Sequence, residues 1–511
     1  MKKLDIGIIV TTLIIVTISC SLAFFAARVV GEPKDINLVA KNVAITFNDT
    51  SIIANGVVSP GWNTTKTFTI TNNSKEEYKY NISIKDLLNT FVTEGYLQYK
   101  ITSTNDGYNM TEFKDIPKSS APKDKILAYS VVIPNGVTQS YTIEFKYAND
   151  ESVDQSDDMG KKLSGTLFIT EGTEQPTLLS QILNDNPTRS TRSNNNNGTN
   201  DFATTLTAAT TGTLFTSTES ITGITTSPKE VYYYAGNTTN NWVKFANLYW
   251  RIIRTNHDSS IRLLYVGTSH DTTTGNIGTS AFNTSYESPK YVGYKYGEDT
   301  SHDSIRNNTT DSTIKTFIDS WYQNNLTNYK KYLSTSAVYC NDRSEETGQT
   351  YNYSSSSSSQ FNFAPYYRMD WDTEGAAANP SYNCTDIRDA FSVENTSAKL
   401  DYPVSLMTAD EIAFAGGVAS QRMNTPYAWF FSNSAGTQVS TWWWSLSPIN
   451  WNGSYASVWL WSSGYVYLNY NDVGSSYAVR PAISLKSCVK TSGGNGSASD
   501  PYTIKETTSG C

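Results

Sequence analysis

Alternating aromatic residues near the end of the sequence predict a binding surface. Residues 459–469 read WLWSSGYVYLN, with rings on one set of alternate positions and aliphatic side chains on the other. A three-residue loop at 462–464, with Gly464 in the left-handed conformation, would pair Trp461 with Tyr465 and give each face one type of side chain. The aliphatic face then belongs in the core. The predicted ligand-binding residues on the opposite side are Trp459, Trp461, Tyr465, Tyr467, Asn469 and Asn471, together with Tyr455.

Rings beside amides provide recognition chemistry rather than catalysis. Aromatic faces stack on sugar rings while amides and hydroxyls form hydrogen bonds, and Tyr and Trp also dominate the centres of protein interfaces. Four such rings, if half exposed, would exceed the ~300–600 Å² apolar patch of an ordinary monomer. The alternative is that a covering segment buries the rings as a second core. The tryptophan-rich run TWWWSLSPINWNGSY at 441–455 is the candidate cover.

Catalytic and metal-binding chemistry has little support in the sequence. The three histidines lie in polar stretches and no CxxC spacing occurs, which argues against a zinc site or a histidine-based catalytic centre. A carbohydrate hydrolase would need two carboxylates close together on one wall. The candidate carboxylates are Asp370, Asp372, Glu374, Asp410 and Glu411. The last two also suit the first turn of a helix, so we predict a non-enzyme without a cofactor and leave the use of calcium open.

Cysteine usage is typical of an exported protein. Apart from Cys20, the sequence has four cysteines, which allow two disulfides in three connectivities. The simplest connectivity pairs neighbours in sequence, Cys340 with Cys384 and Cys488 with Cys511. Only 17% of the 511 residues are charged, the net charge is −8, and no basic stripe is present. Nucleic acid is therefore excluded as a predicted partner.

The N-terminal stretch predicts a membrane anchor. Residues 6–27 carry no charge and follow Lys2 and Lys3. As a helix they would extend ~33 Å, enough for the ~30 Å hydrocarbon layer. Residues 1–35 are therefore assigned as a signal anchor of a single-pass protein, with the bulk of the chain outside the cell. The alternative is a cleaved secretory signal ending near 21–23, which would release the protein.

The rest of the chain divides into three predicted regions, as expected for a length too great for one core. Residues 36–172 contain short alternating segments separated by turn residues, which predicts an immunoglobulin-like β-sandwich that serves as a stalk. Residues 173–205 include TRSTRSNNNNGTND and predict a flexible linker. Residues 206–511 predict one large domain, mainly β with α+β character. Within it, 311–326 has a helical apolar stripe, and Thr408 with Glu411 predicts a capping box.

Five stretches of the last region resemble an uncharacterised extracellular domain common in Gram-positive surface proteins. They are YYYAGNTTNNWVKFANLYWRIIR (232–254), STIKTFIDSWYQNNL (312–326), YPVSLMTADEIAFAGG (402–417), WSLSPINW (444–451) and YAVRPAISL (477–485). The whole of 206–511 looks like the formylglycine-generating-enzyme and C-type-lectin-like fold. The resemblance implies side chains displayed on a terminal sheet and its loops. This sequence departs from that fold's enzymes, which use a reactive cysteine pair. It also departs from calcium-dependent lectins, because Gly453 follows Trp451-Asn452.

These observations together predict a membrane-anchored bacterial receptor or adhesin. Between Asn450 and Arg480, 18 of 31 residues are Tyr, Asn, Ser or Trp, the composition of an antibody paratope. The predicted partner is a glycan or a protein on a host or neighbouring cell. An extracellular carbohydrate-active enzyme and a purely structural envelope protein are the alternatives. Burial of the aromatic face would favour the structural alternative.

Overall fold

The structure, a computed structural model, divides into two compact units. It describes residues 36–40, 43–49, 58–93, 95–195, 198–346, 360–439 and 442–511. Unit 1 ends at Gln175, and unit 2 runs from Pro176 to Cys511. The predicted anchor at 1–35 lies outside the described residues. Within the described ranges, no helix has the length and hydropathy needed to span a membrane.

Unit 1 is built from two antiparallel sheets. Its strands are β1 (Ile36–Ala40), β2 (Val43–Asp49), β3 (Asn63–Asn72), β4 (Tyr78–Asn89), β5 (Leu97–Ser103), β6 (Lys114–Asp115), β7 (Ser119–Ile133), β8 (Thr138–Tyr147) and β9 (Leu163–Glu171). One sheet has the order β1-β2-β3-β8-β5-β6, and the other has the order β7-β4-β9. A short 3₁₀ helix spans Ser156–Asp158. Both sheets contribute to one apolar core.

Strand β8 shows why this part of the chain forms a layered β structure. Tyr141, Ile143, Phe145 and Tyr147 alternate with polar residues and are all buried, while the residues between them face outward. This two-residue period is the pattern of a strand with one face in a core. The mainly β fold is confirmed, and the specific immunoglobulin-like topology stays a prediction.

Unit 2 contains four α-helices and twenty strands among the described residues. The helices are α1 (Leu178–Asp185), α2 (Thr313–Asn325), α3 (Ala364–Met369) and α4 (Ala409–Ala415). The first strands are β10 (Thr188–Thr191), β11 (Thr213–Glu219), β12 (Lys229–Tyr233), β13 (Trp242–Phe245), β14 (Leu248–Thr255), β15 (Ile261–Gly267), β16 (Thr279–Ala281), β17 (Lys295–Tyr296) and β18 (Thr310–Asp311). They continue with β19 (Tyr339–Cys340), β20 (Phe361–Asn362), β21 (Ala390–Phe391), β22 (Val404–Leu406), β23 (Trp443–Trp451), β24 (Ala456–Ser462), β25 (Tyr467–Asp472), β26 (Ser476–Ala478), β27 (Pro481–Leu485), β28 (Thr491–Gly493) and β29 (Tyr502–Ile504). Short 3₁₀ helices span Pro289–Val292, Ser304–Arg306, Thr327–Tyr332 and Trp371–Thr373.

Two larger sheets organise unit 2. The ten-stranded sheet follows β10-β11-β12-β14-β13-β29-β28, with β15, β27 and β22 joined beside β14. The six-stranded sheet follows β16-β26-β23-β24-β25, and β20 also pairs with β23. A large cluster of aliphatic and aromatic side chains fills the interior between these elements. Strand β25 is the last strand of the second sheet, and the segment at 418–420 bonds to its outer side at Leu468.

The segment predicted as a flexible linker is structured at residues 176–195 and 198–205. Thr177 caps α1, whose Leu178 and Ile182 are buried in the unit 2 core. Strand β10 runs parallel to β11, and the buried Arg192 donates to the carbonyl oxygens of Ala413 and Phe414. The flexible-linker prediction is therefore wrong for these residues. The prediction failed because it took the polar composition as a sign of disorder. The polar side chains in this segment form hydrogen bonds with backbone groups of distant segments.

The two predicted helices in the last region are confirmed. In α2, Ile314 and Ile318 are buried on one side of the helix, as the apolar stripe indicated. Helix α4 starts with the predicted capping box, in which Thr408 and Glu411 exchange side-chain-to-backbone hydrogen bonds of 3.0 Å each. Gly416, at φ 119°, ends α4 in the left-handed conformation that a residue with a side chain avoids.

Candidate functional site

The β24–β25 hairpin has a different register from the one predicted. Trp461 lies opposite Leu468, and Trp459 lies opposite Tyr470. The loop comprises four residues, 463–466, instead of three. The loop residue in the left-handed conformation is Val466, at φ 64°, and not Gly464 as predicted. The prediction that paired Trp461 with Tyr465 is therefore wrong.

Interactions with a distant segment hold Val466 in its strained conformation. Its side chain is 4% exposed, and its amide donates to the carbonyl oxygen of Ser462 at 2.6 Å. Its own carbonyl accepts from the amide of Met423 at 2.8 Å. A β-branched residue at positive φ costs of order 1 kcal/mol or more. Packing and bonds from elsewhere in the fold offset that cost, which local turn preferences do not reveal.

The two tryptophans of β24 are buried, contrary to the prediction that they share an exposed surface. Trp459 and Trp461 are each 0% exposed. The Trp461 ring lies 4.8 Å from Phe430 and 5.5 Å from Phe431, both in edge-to-face geometry. Strand β24 lies between β23 and β25, and all seven of its residues are buried, so both of its faces pack against other parts of the fold. These two residues belong to the core rather than to a surface.

The other predicted site residues remain at the surface. Tyr465 is 53% exposed and Tyr455 is 37% exposed. Tyr467, Asn469 and Asn471 lie on alternate positions of the edge strand β25 and are half-buried. Five of the seven predicted residues are therefore accessible, although the register that suggested them was wrong.

Six half-buried or exposed rings form a continuous line across the end of this sheet, which we name the aromatic row. In order of contact they are Tyr477, Trp442, Tyr465, Tyr467, Trp371 and Tyr470. Consecutive ring centroids are 5.5, 5.5, 5.4, 6.3 and 5.1 Å apart. The first and third contacts are stacked, and the others are tilted or edge-to-face, the geometries that aromatic pairs prefer.

The tryptophan-rich run divides between core and surface. Trp443, Trp444 and Trp451 are buried, so most of the run is core. Trp442 is half-buried and lies in the aromatic row between Tyr477 and Tyr465. The run therefore does not cover the exposed tyrosines. It contributes one ring to their surface.

Trp371 joins the aromatic row from the run RMDWDTEG, in which only the carboxylates were predicted as candidate site residues. It sits in the turn after α3, flanked by two residues with positive φ, Asp370 at 50° and Glu374 at 58°. The Asp370 carboxylate accepts from the amide of Ala377 at 2.8 Å and fixes this turn. The signal that was available is a large aromatic residue in an otherwise polar run, RMDWDTEG.

Polar groups accompany the rings. The Asn471 amide donates to the Tyr477 hydroxyl. Asn469 accepts from the Tyr470 amide at 2.8 Å through its side-chain oxygen. Burial raises the pKa of Tyr467, Tyr470 and Tyr477 above the ordinary phenol value. These phenols therefore stay protonated and can donate hydrogen bonds at neutral pH.

The carboxylates considered for hydrolysis mostly have structural partners. Glu411 is buried and accepts from Arg254 at 2.8 Å and from Arg262 at 2.5 Å. Asp410 accepts from Arg368 at 2.8 Å. Arginine partners hold a carboxylate ionised and in a fixed position, so these two acids stabilise the N-terminal turn of α4.

A group of three carboxylates with metal-ligand spacing is occupied by an ammonium group. Asp311, Asp319 and Asp401 converge, and the Lys315 Nζ atom lies 3.0, 2.6 and 2.7 Å from their oxygens. Burial alone would lower the pKa of Lys315, but the surrounding carboxylates raise it overall. The charged lysine thus takes the place that a cation would fill.

Both predicted disulfides are confirmed. Cys340 bonds to Cys384 with a Cα–Cα distance of 5.8 Å, and Cys488 bonds to Cys511 with a Cα–Cα distance of 5.5 Å. Both lie within unit 2. Cys20 is outside the described residues.

Comparisons with known proteins show no family for this chain. No family model matches the sequence, and no curated protein matches it. A solved structure described as "AvmM Catalyzes Macrocyclization in Alchivemycin A Biosynthesis" covers 29% of this chain and 100% of its own length, at 11% identity and a TM-score of 0.16. A TM-score this low carries no argument about fold or function.

Proposed function

We propose that the chain is a bacterial cell-surface receptor or adhesin that binds a glycan or a protein through the aromatic row. Residues 6–27 would anchor it in the membrane, and unit 1 would act as the spacer that precedes the binding domain. The observation that carries this proposal is the aromatic row itself, with Tyr465 53% exposed at its centre. The resemblance of 206–511 to a lectin-like display fold points in the same direction.

A fold that leaves six aromatic rings half-buried or exposed gives up some stability, and a binding function would explain why. Each aromatic side chain offers ~150–250 Å² of area, and burial of apolar area contributes ~25 cal/mol per Å². The fold leaves part of this stabilisation unused at the row, while it buries Trp459 and Trp461 completely on the neighbouring strand. Contiguous apolar patches that remain exposed commonly mark interaction sites.

The disulfides support an extracellular location. Disulfides persist in oxidising compartments and are rare in reducing cytosol. The Cys340–Cys384 bridge closes 44 residues of chain, and the Cys488–Cys511 bridge closes 23. Stable bridges in both places fit a domain that works outside the cell, where ligands on other cells are found.

A binding screen tests the proposal. The full chain, held in detergent micelles, is applied to a glycan array and to an array of host and bacterial surface proteins. We expect binding by the wild type and loss of the signal in the double variant Tyr465→Ala/Tyr467→Ala. The matched control is Tyr78→Ala/Tyr129→Ala, which removes two half-buried tyrosines of unit 1 and should leave binding unchanged.

Two results would contradict the proposal. Binding that survives the double substitution at Tyr465 and Tyr467 places the recognition surface elsewhere. A complete lack of binding on both arrays favours the structural envelope protein.

A further inference from the structure

The segments that build the aromatic row are devoid of basic residues over long stretches. Residues 369–387 and 423–479 contain no Lys and no Arg. All six rings of the row come from these two stretches. The same stretches carry five carboxylates, namely Asp370, Asp372, Glu374, Asp386 and Asp472. Asp386 is neutralised by ion pairs with Arg306 and Arg388, so the other four give these stretches a negative charge without a lysine or arginine of their own.

Two carboxylates stand beside rings of the row. Asp372 directly follows Trp371 and accepts a hydrogen bond from the Tyr366 hydroxyl at 2.5 Å. Asp472, two residues after Tyr470 on β25, accepts from the Ser475 hydroxyl at 2.7 Å and lies close enough to Tyr477 to affect it electrostatically. Within the described part of the chain, the side-chain hydrogen bonds of both carboxylates come from groups other than arginine or lysine.

Two of the arginines that bound these stretches in sequence are directed into the fold. Arg480 is 2% exposed and donates to the carbonyl oxygens of Phe430 and Tyr265 beneath the sheet. Arg368, which precedes the Trp371 turn, forms ion pairs with Asp342 and Asp410. The exposed Arg422 belongs to the segment that runs along the β25 edge, and it is outnumbered by the carboxylates.

We propose that the ligand of the aromatic row is a basic segment of a partner protein, rich in lysine and arginine. This inference rests on the proposed function and narrows it to one class of partner. Guanidinium and ammonium groups are attracted to the faces of Trp and Tyr rings. Asp372 and Asp472 beside the rings add complementary charge, which favours the encounter with such a ligand. Tyrosine with asparagine is also the composition of protein-recognition surfaces.

Three probes of equal concentration test this on the full chain: an oligoarginine peptide, an oligoglutamate peptide of the same length, and a set of neutral oligosaccharides. We expect the oligoarginine peptide alone to bind, with affinity that falls as ionic strength rises. The double variant Asp372→Asn/Asp472→Asn should lose about tenfold in affinity, mostly through slower association. Each asparagine keeps one acceptor oxygen. At 472 it can accept from the Gly474 amide, and the Ser475 hydroxyl can instead accept from the new NH₂ group, so the fold should be retained.

Matched variants separate a specific site from general attraction between opposite charges. Asp106→Asn/Asp154→Asn removes two exposed carboxylates of unit 1 and should leave peptide affinity unchanged. Tyr465→Ala, which keeps every charge, should weaken peptide binding. Equal peptide binding by all variants would overturn the inference. Salt-independent binding of a neutral oligosaccharide, lost in Tyr465→Ala, would also overturn it while the receptor function stands. Absence of binding to all probes and to both arrays would overturn both proposals.

Discussion

Strands β24 and β25 are hydrogen-bonded neighbours with similar sequences and opposite environments. Each carries aromatic residues two positions apart in or beside the strand: Trp459 and Trp461 for β24, Tyr465 and Tyr467 for β25. The two indoles are 0% exposed, whereas Tyr465 is 53% exposed and Tyr467 is half-buried. The difference shows that position in the sheet, central or edge, decides the role of a ring.

The two tryptophans of β24 are buried even though burial leaves their indole N–H groups without hydrogen-bond partners among the described residues. The Nε1 atoms of Trp459 and Trp461 are buried and have no hydrogen-bond partner in the described structure. Each unsatisfied donor costs about 1–3 kcal/mol. The packing of the two large rings against their neighbours exceeds this cost, since both remain fully buried. Tyr465 is exposed and Tyr467 is half-buried, so their hydroxyls can form hydrogen bonds with water and avoid this cost.

The largest expected effect comes from removing a ring on the buried strand. Trp461→Ala should lower the free energy of unfolding of unit 2 by about 3–5 kcal/mol, because it leaves a cavity among Phe430 and Phe431. Tyr465→Ala should change it by less than about 0.5 kcal/mol. Chemical denaturation followed by tryptophan fluorescence measures this, because every tryptophan except Trp62 lies in unit 2. Similar losses for the two variants would abolish the distinction between the strands.

The interior of unit 2 also contains a buried carboxylate, Glu219, whose contribution to stability should depend on pH. Burial, the largest single influence, raises the pKa of Glu219, but Arg254 at 2.9 Å, together with His257 and Arg262, lowers it overall to about 2. The folded pKa therefore lies below the unfolded value of about 4.3. The stabilisation is complete above that unfolded value and is lost as the pH falls toward 2. The total loss is about 3 kcal/mol.

The measurement is the free energy of unfolding of unit 2 between pH 6 and about 2, for the wild type and Glu219→Gln. The variant should be less stable at pH 6, because Arg254 loses one of its two carboxylate partners. Its stability should then decline less steeply in acid. Parallel curves for the two proteins would show that Glu219 does not titrate between its unfolded and folded pKa values.

Features that depend on nearby sequence were predictable. The capping box of α4 needs only Thr408 and Glu411 three positions apart. Local pairing of four cysteines gave the correct disulfides, and alternation gave strands such as β8. The capping box and the strand require no knowledge of which segments meet in space, because the interacting groups are close in the chain or repeat with a fixed period. The disulfides join residues 44 and 23 positions apart, and choosing the simplest of three connectivities was enough to pair them.

Features that depend on distant contacts were not predictable. The register of the β24–β25 hairpin rests on Val466 at positive φ, which is held by Met423. The membership of Trp371 in the aromatic row requires a turn about ninety residues before β25 to reach that strand. The polar segment around Arg192 is ordered by the carbonyl groups of α4. In each case the stabilising partner is remote in sequence, and no local pattern identifies it.

The smallest of the predicted effects compares two glycines, one beside each kind of ring. A Cβ at Gly417 would lie 2.9 Å from Trp461 Cζ3 and 2.7 Å from Ile412 Cγ2. Both are interior atoms with little room to move, so Gly417→Ala should cost about 1–3 kcal/mol of unfolding free energy. A Cβ at Gly464 would lie 3.1 Å from Trp442 Nε1. That ring is half-buried at the surface and can shift, so Gly464→Ala should cost less than about 0.5 kcal/mol.

The two glycine variants should also differ in their effect on ligand binding. Gly464→Ala moves Trp442 within the aromatic row and should weaken binding, while Gly417→Ala, once folded, leaves the row intact. Denaturation curves and titrations with the oligoarginine peptide measure the two properties on the same samples. Stability lost only at Gly417 and affinity lost only at Gly464 would separate the core role of β24 from the recognition role of β25. If one glycine governed both properties, the two strands would act as a single element, and burial would no longer distinguish what each contributes.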